Sequence, residues 1–215
     1  MSPMPERMSD HWWWRAGVRP GRRLLVWHIL PDGQAGVLDL VRQCQDKLAG
    51  LDGLDPVPAA WLHMTTQIVG FADEIPDAEV ETMTAGVSEQ LSDIAPIDVE
   101  LGKLWLHSEA VMLGIRPPFA LDPVRAAIRA SVADAVRVHQ LDDEPDWTPH
   151  ISVAYSNTHG PAAPIIGALA ARPELRPFRV GRVYLVAQER VGHLYRWERR
   201  AVARLGGTTA RPSCG

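Results

Sequence analysis

Trp61-Leu62-His63-Met64-Thr65-Thr66-Gln67-Ile68-Val69 and Thr148-Pro149-His150-Ile151-Ser152-Val153-Ala154-Tyr155 are two versions of one pattern. Each is an apolar run interrupted by a histidine and, two positions on, a hydroxyl. Side chains in a strand alternate between faces. His63 and Thr65 should therefore share one face, opposite Leu62 and Met64, and His150 and Ser152 should share one opposite Ile151 and Val153. Each strand would offer an imidazole and a hydroxyl, roughly 6–7 Å apart along the backbone. A single His-x-Ser/Thr match carries no weight in a chain with eight His. Two matches in similar strand-like settings, His63 and His150 lying 87 positions apart, point to a paired acid–base site with donors for an anion.

The segments around the two strings repeat. Residues 22–30 read as a strand that stops at Pro31-Asp32-Gly33. Val37, Leu40, Val41, Cys44 and Leu48 have helical spacing over 36–49. A loop at 50–58 leads to the first His strand, 61–69. Pro76-Asp77 opens a second helix to about Ile94, and 97–106 with 109–116 read as a hairpin. Asp122-Pro123, an N-cap followed by a first-turn proline, starts a third helix to about His139. The second His strand covers 149–155. A short helix at 161–171 and two strands at 177–188 and 193–202 complete the chain, with a turn near Arg190 to Gly192. Helix, His strand, helix and hairpin thus occur twice. The expected fold is α+β, with two sheet-and-helix lobes, one per half, related by a pseudo-two-fold and meeting at a central cleft. Residues 1–20 are expected to be a partly disordered extension, disordered over 1–10. Residues 21–203 form the domain, and 204–215 are a disordered tail.

Composition sets the outer bounds. At 46% hydrophobic and 22% charged residues, the chain is ordinary for a globular protein. No apolar run reaches membrane-span length, and the polar start lacks signal-peptide order, so a cytoplasmic location and no membrane partner are expected. A monomer is the expected state. The net charge of −4 is too acidic for a general nucleic-acid coat, while a small anion or one strand end remains open as a ligand. Cys44 and Cys214 are the only cysteines, so a disulfide framework and a catalytic thiol are not expected. No metal spacing, Walker loop or dinucleotide fingerprint occurs, so neither a metal nor a cofactor is expected.

Leu62-His63-Met64-Thr65 and Pro149-His150-Ile151-Ser152 resemble the paired signatures of the 2H phosphoesterase superfamily, in particular the 2′-5′ RNA ligase or RNA 2′,3′-cyclic phosphodiesterase group. The resemblance covers roughly residues 22–202. It implies a bilobal fold with a central cleft and metal-independent opening of a 2′,3′-cyclic phosphate at an RNA end or on a nucleotide. The same site run in reverse would join a 2′-5′ bond. In the signature an apolar residue follows each hydroxyl; Val153 fits and Thr66 departs. The resemblance assigns His63, Thr65, His150 and Ser152 to catalysis. The imidazoles would be acid and base in an order the motifs leave open, and the hydroxyls would donate to phosphate oxygens.

Three further residues are candidates for substrate contact: Gln67, two beyond Thr65; Trp147, beside the second motif, as a base-stacking surface; and Arg196, alternating with Tyr195 and Trp197. Tyr155 falls on the core side by alternation. His28, Trp27, Trp61 and Trp105 read as structural, as do His11, His107, His139, His159 and His193. Alternatives to catalysis are an RNA-end or nucleotide-binding module of the same fold, and an interaction protein in which the repeat is coincidence.

Overall fold

The apolar stretch 22–30 and its counterparts do form strands, and the computed structural model describes residues 4–138 and 147–206. In chain order the first elements are β1 (Arg7–Met8), β2 (Leu24–Ile29), α1 (Ala35–Leu48), β3 (Leu54–Pro56), β4 (Met64–Phe71), α2 (Asp77–Ser92), β5 (Ile97–His107) and β6 (Ala110–Arg116). They are followed by α3 (Asp122–Ala135), β7 (His150–Ser156), β8 (Gly160–Pro161), α4 (Ala163–Ala168), β9 (Arg176–Val180), β10 (Arg182–Arg190) and β11 (Tyr195–Arg204). His139, the acidic run 142–146 and the tail with Cys214 lie outside the described residues.

Two antiparallel sheets carry the molecule, one ordered β11-β10-β2-β4, the other β3-β7-β6-β5-β9. The two orders correspond strand for strand: β2 to β6, β4 to β7, β10 to β5 and β11 to β9. The pseudo-two-fold is therefore present, but the lobes are not the sequence halves. The β5–β6 hairpin pairs with the second His strand, and the β10–β11 hairpin reaches the sheet of the first by pairing with β2. Helices cross over as well. α1 leaves the first sheet and packs on β7 and β9 of the second, while α3 leaves the second and packs on β4 and α2 of the first. Apolar faces decide this exchange: Val37, Leu40, Val41 and Cys44 of α1, and Val124, Ile128 and Val132 of α3, are all buried. At about 1.5–3 kcal/mol for each fully buried aliphatic side chain, helix docking dominates over local chain connectivity.

Other boundaries differ from expectation for local reasons. Residues 177–188 are two strands in two sheets, split at Gly181. The loop 50–58 contains β3, which edges the second sheet beside β7. α3 begins at Asp122 with Leu121 as its cap, so Asp122 lies in the first turn instead of capping it. The helix expected over 161–171 is only Ala163–Ala168. The start of the chain is not loose over its described part. β1 pairs with β8, and Met8 and Trp12 are buried in the main core. Their apolar area outweighs the polar composition that suggested disorder. Among the described residues no helix is long and apolar enough to cross a membrane.

Candidate active site

The two histidines are held by the same local device. A 3₁₀ turn at Ala59–Trp61 brings the Trp61 carbonyl back over His63, whose Nδ1 donates to it at 2.9 Å. In the second lobe His150 Nδ1 donates to the Thr148 carbonyl at 2.7 Å. A carbonyl can only accept, so each neutral ring carries its proton on Nδ1 and its lone pair on Nε2. Among the described residues neither Nε2 has a protein partner. β4 and β7 touch where the lobes meet, and His63 senses the charge of His150.

The environments differ in depth. His63 is 9% exposed, with the wholly buried His28 ring 4.4 Å away and Trp197 edge-on at 4.9 Å. Burial, opposed by the Trp61 hydrogen bond and assisted by repulsion from His150, pushes its pKa down to about 4. His150 is only partly buried by its surroundings, with Trp105 edge-on at 5.6 Å. Its pKa is also lowered, first by desolvation and then by His107. The cross-strand partners mark the same asymmetry. His28 stands opposite Thr65, whereas Met112 stands opposite Ser152.

Each motif ends in a β-bulge that alternation cannot foresee. In β4, Thr65 pairs with His28 and Gln67 with Trp27, which leaves Thr66 as the extra residue. In β7, Ser152 pairs with Met112 and Ala154 with Val111, which leaves Val153. A bulge frees carbonyls from the ladder, and buried carbonyls need donors. Here the donors come from the exchanged helices. Arg125 Nε of α3 donates to the Thr66 carbonyl at 3.3 Å, and Gln45 Nε2 of α1 donates to the Val153 carbonyl at 3.0 Å. Val57 N–H also serves Val153. Thr66 tolerates the buried position because its hydroxyl donates to the Trp27 carbonyl at 2.7 Å.

The bulges reassign several expected faces. Thr65 and Ser152 do stand on the faces of their histidines, as expected. Gln67 does not share Thr65's face. It turns to the helix side, where its Oε1 accepts from Arg129 at 2.9 Å. Tyr155 moves the other way. The bulge at Val153 returns it to the Ser152 face, and its phenol interacts with the Ser152 hydroxyl. Burial raises the Tyr155 pKa, so the phenol keeps its proton. Trp147 is partly buried beneath Arg125, and its Nε1 donates to the Thr65 carbonyl at 3.1 Å, tying the second motif's approach to the first. Arg196 is exposed and pairs across from Glu189, on the face opposite Trp197. Sequence reasoning passed over Trp197, Trp105, His28 and Tyr155 as site-lining residues. Trp197 alternating with Arg196 was the one available signal, and which of the two faces the histidines depends on the distant pairing of β11.

Surface depressions elsewhere, one over α2 and β11 beside Glu81 and Arg200, the other beside Asp98 and Arg116, hold none of the four motif residues. Among the described residues no three His, Cys, Asp or Glu side chains are placed to hold a metal ion.

Comparison with known proteins joins this geometry to a family. The sequence profile described as the 2′-5′ RNA ligase superfamily matches residues 32–192. No curated protein matches the sequence. The fold resembles that of Escherichia coli LigT in its apo form, with a TM-score of 0.66, 18% identity, and coverage of 86% of this chain and 99% of LigT. TT0787 of Thermus thermophilus matches with the same TM-score, identity and coverages. A third structure, called a phosphoesterase, gives a TM-score of 0.65 at 18% identity, covering 86% of this chain and 99% of that one. With a profile spanning most of the domain and the shared bilobal fold, the chain belongs to the 2′-5′ RNA ligase superfamily of 2H phosphoesterases.

Proposed function

We propose that this protein is a metal-independent phosphodiesterase that opens a 2′,3′-cyclic phosphate on an RNA end or a nucleotide. The observation that carries the reading is the matched pair of imidazoles, each anchored through Nδ1 to the carbonyl two residues before it, each with a hydroxyl on its own face. His63 is the drier ring and is neutral at physiological pH, so its Nε2 lone pair takes the proton of the attacking water. His150, less enclosed, delivers a proton to the departing ribose oxygen. The P–O bond to water forms as the P–O bond to that ribose oxygen breaks, and the proton count balances between the two rings. Thr65 and Ser152 donate to the non-bridging oxygens as charge builds on them. Tyr155, which keeps its proton, lies against the Ser152 hydroxyl. Structures of Escherichia coli LigT with 3′-AMP and with phosphate are consistent with a ligand of this class.

The test is turnover of 2′,3′-cyclic nucleotides and of RNA ended by a cyclic phosphate, with EDTA present. His63→Ala and His150→Ala are each expected to lose roughly 10²–10⁴-fold, the scale of one general acid or base. More than half the wild-type rate in either folded variant overturns the two-histidine mechanism. Activity abolished by EDTA and restored by a divalent ion overturns the metal-free one.

A further inference from the structure

We propose that the N-terminal segment around Trp13 and Trp14, together with Arg190 at the end of β10, is a stacking site for unpaired bases of the RNA strand that leads to the cyclic phosphate. The choice of RNA rests on the phosphodiesterase reading; the site itself rests on separate observations, and its tryptophans lie outside the family match at 32–192.

The segment is fixed before any ligand arrives. Ser9 N–H donates to the Ser108 carbonyl at 2.8 Å and His11 N–H to the Ser156 carbonyl at 2.9 Å. Trp12 is buried, donates from Nε1 to Asp55 at 2.8 Å, and stacks on His193 at 5.2 Å and 5°. Next to this anchor, Trp13 and Trp14 are 53% and 51% exposed, the price in water contact of two large rings held on the surface. A cation lies over each: Arg15 over Trp13 at 4.7 Å, and Arg190 over Trp14 at 4.1 Å.

The local charges are sorted. Glu109 accepts from His11, Trp13 and Arg15, and Asp55 from Trp12 and Asn157, with His193 Nδ1 2.9 Å from the Asp55 carboxylate. Asp10 accepts from the Trp12 N–H. These carboxylates are consumed within the cluster. Arg190 donates only to the carbonyls of Gly192 and Trp13, so among the described residues it has no anionic partner. Exposed indoles beside an uncompensated guanidinium suit a ligand that alternates flat rings with phosphates. Single-stranded nucleic acid is that ligand, because every base has a π-face and every linkage a negative charge. An apolar protein partner would leave the Arg190 charge unsatisfied. The cluster is also continuous with the second motif. The His11 ring stacks on Tyr155 at 4.2 Å and 14°, and Tyr155 touches Ser152.

The test compares two ligands: a fluorescently labelled single-stranded RNA hexamer ending in a 2′,3′-cyclic phosphate, and a 2′,3′-cyclic mononucleotide. The variants are Trp13→Ala/Trp14→Ala and Arg190→Gln, in the full-length chain, with thermal melting to confirm folding. Expected is a roughly 10- to 100-fold weaker hexamer affinity in the tryptophan variant. Mononucleotide kcat/KM should stay within about twofold, since no change is made near the two histidines. Arg190→Gln should reduce the salt dependence of hexamer binding by about one phosphate contact. Unchanged hexamer affinity, or equal losses for both ligands, overturns the site; so does a hairpin duplex of the same sequence binding as tightly as the single strand. If the wild type binds the hexamer through these tryptophans yet turns over neither ligand, the stacking site stands and the phosphodiesterase reading fails. If the wild type turns over the mononucleotide but does not bind the hexamer, the stacking site fails and the phosphodiesterase reading stands.

Discussion

Exchanging His63 for Gln should make the folded protein less sensitive to acid while abolishing its activity. The native ring loses its proton near pH 4, whereas a histidine in the unfolded chain does so near 6.5. Between these values the unfolded chain binds the extra proton more readily. Native stability is therefore complete above about pH 6.5 and drains away as pH falls toward 4. The loss attributable to His63 alone is about 2.5 kcal/mol by pH 4.5. That is a large share of the ~5–15 kcal/mol that separates folded from unfolded domains. The assay is urea unfolding followed by tryptophan fluorescence at pH 7.0 and 4.5, for wild type and His63→Gln. Carboxylates titrate alike in both proteins, so they cancel in the difference of differences. The variant should retain about 2–3 kcal/mol more of its pH 7 stability than the wild type does. His11, also displaced to about 4 by burial, should leave some acid sensitivity in the variant. Equal losses in the two proteins, within about 0.5 kcal/mol, would falsify the idea that His63 is held neutral by burial.

Because both ring pKa values lie below the ordinary histidine range, kcat/KM should trace a bell whose maximum falls on the acid side of about 6.5. Bound phosphate favours the charged rings, so the kcat bell should sit at higher pH than the kcat/KM bell; coincident or alkaline-centred profiles count against the assignment. Thr65→Ala and Ser152→Ala should each reduce kcat by up to about 10²–10³-fold, with less effect than loss of either histidine, as steady-state kinetics on a cyclic nucleotide will show. Arg125→Met, which strips the bulge carbonyl of Thr66 of its donor, should destabilise by about 1–3 kcal/mol in urea titrations. Gln45→Met should cost less, because Val57 N–H still serves the Val153 carbonyl.

The parts of this molecule written in short periods were legible. Val37, Leu40, Val41 and Cys44 announce a helix by spacing alone, and His63 with Thr65 announces a shared strand face. What was not legible depends on a single extra residue or on a distant partner. A bulge at Val153 adds one residue to the count and so returns Tyr155 to the face that carries the histidine and hydroxyl, with no composition signal to mark it. Gln67 is lost from that face for the same reason at Thr66. Gly181 reads as an ordinary strand glycine, yet the chain changes sheets there. The repeat gave the right number of lobes and the wrong membership, since local periodicity holds no record of which sheet a hairpin joins.

The exchange of hairpins between lobes has a bearing on synthesis. As the chain emerges from its N-terminus, the second sheet lacks β9 until residue 180 has appeared, and the first lacks β10 and β11 until residue 204. Until β10 has appeared, β2 is an unpaired edge on the side later covered by it, with Val26 and its apolar neighbours open to other nascent chains. Both sheets close only over about the last thirty described residues, so folding depends on contacts distant in sequence. A chain cut short at the β9–β10 junction is not a smaller enzyme with one working lobe; it is a polypeptide carrying both histidines, with its first sheet reduced to two strands and prone to pair with whatever edge it meets.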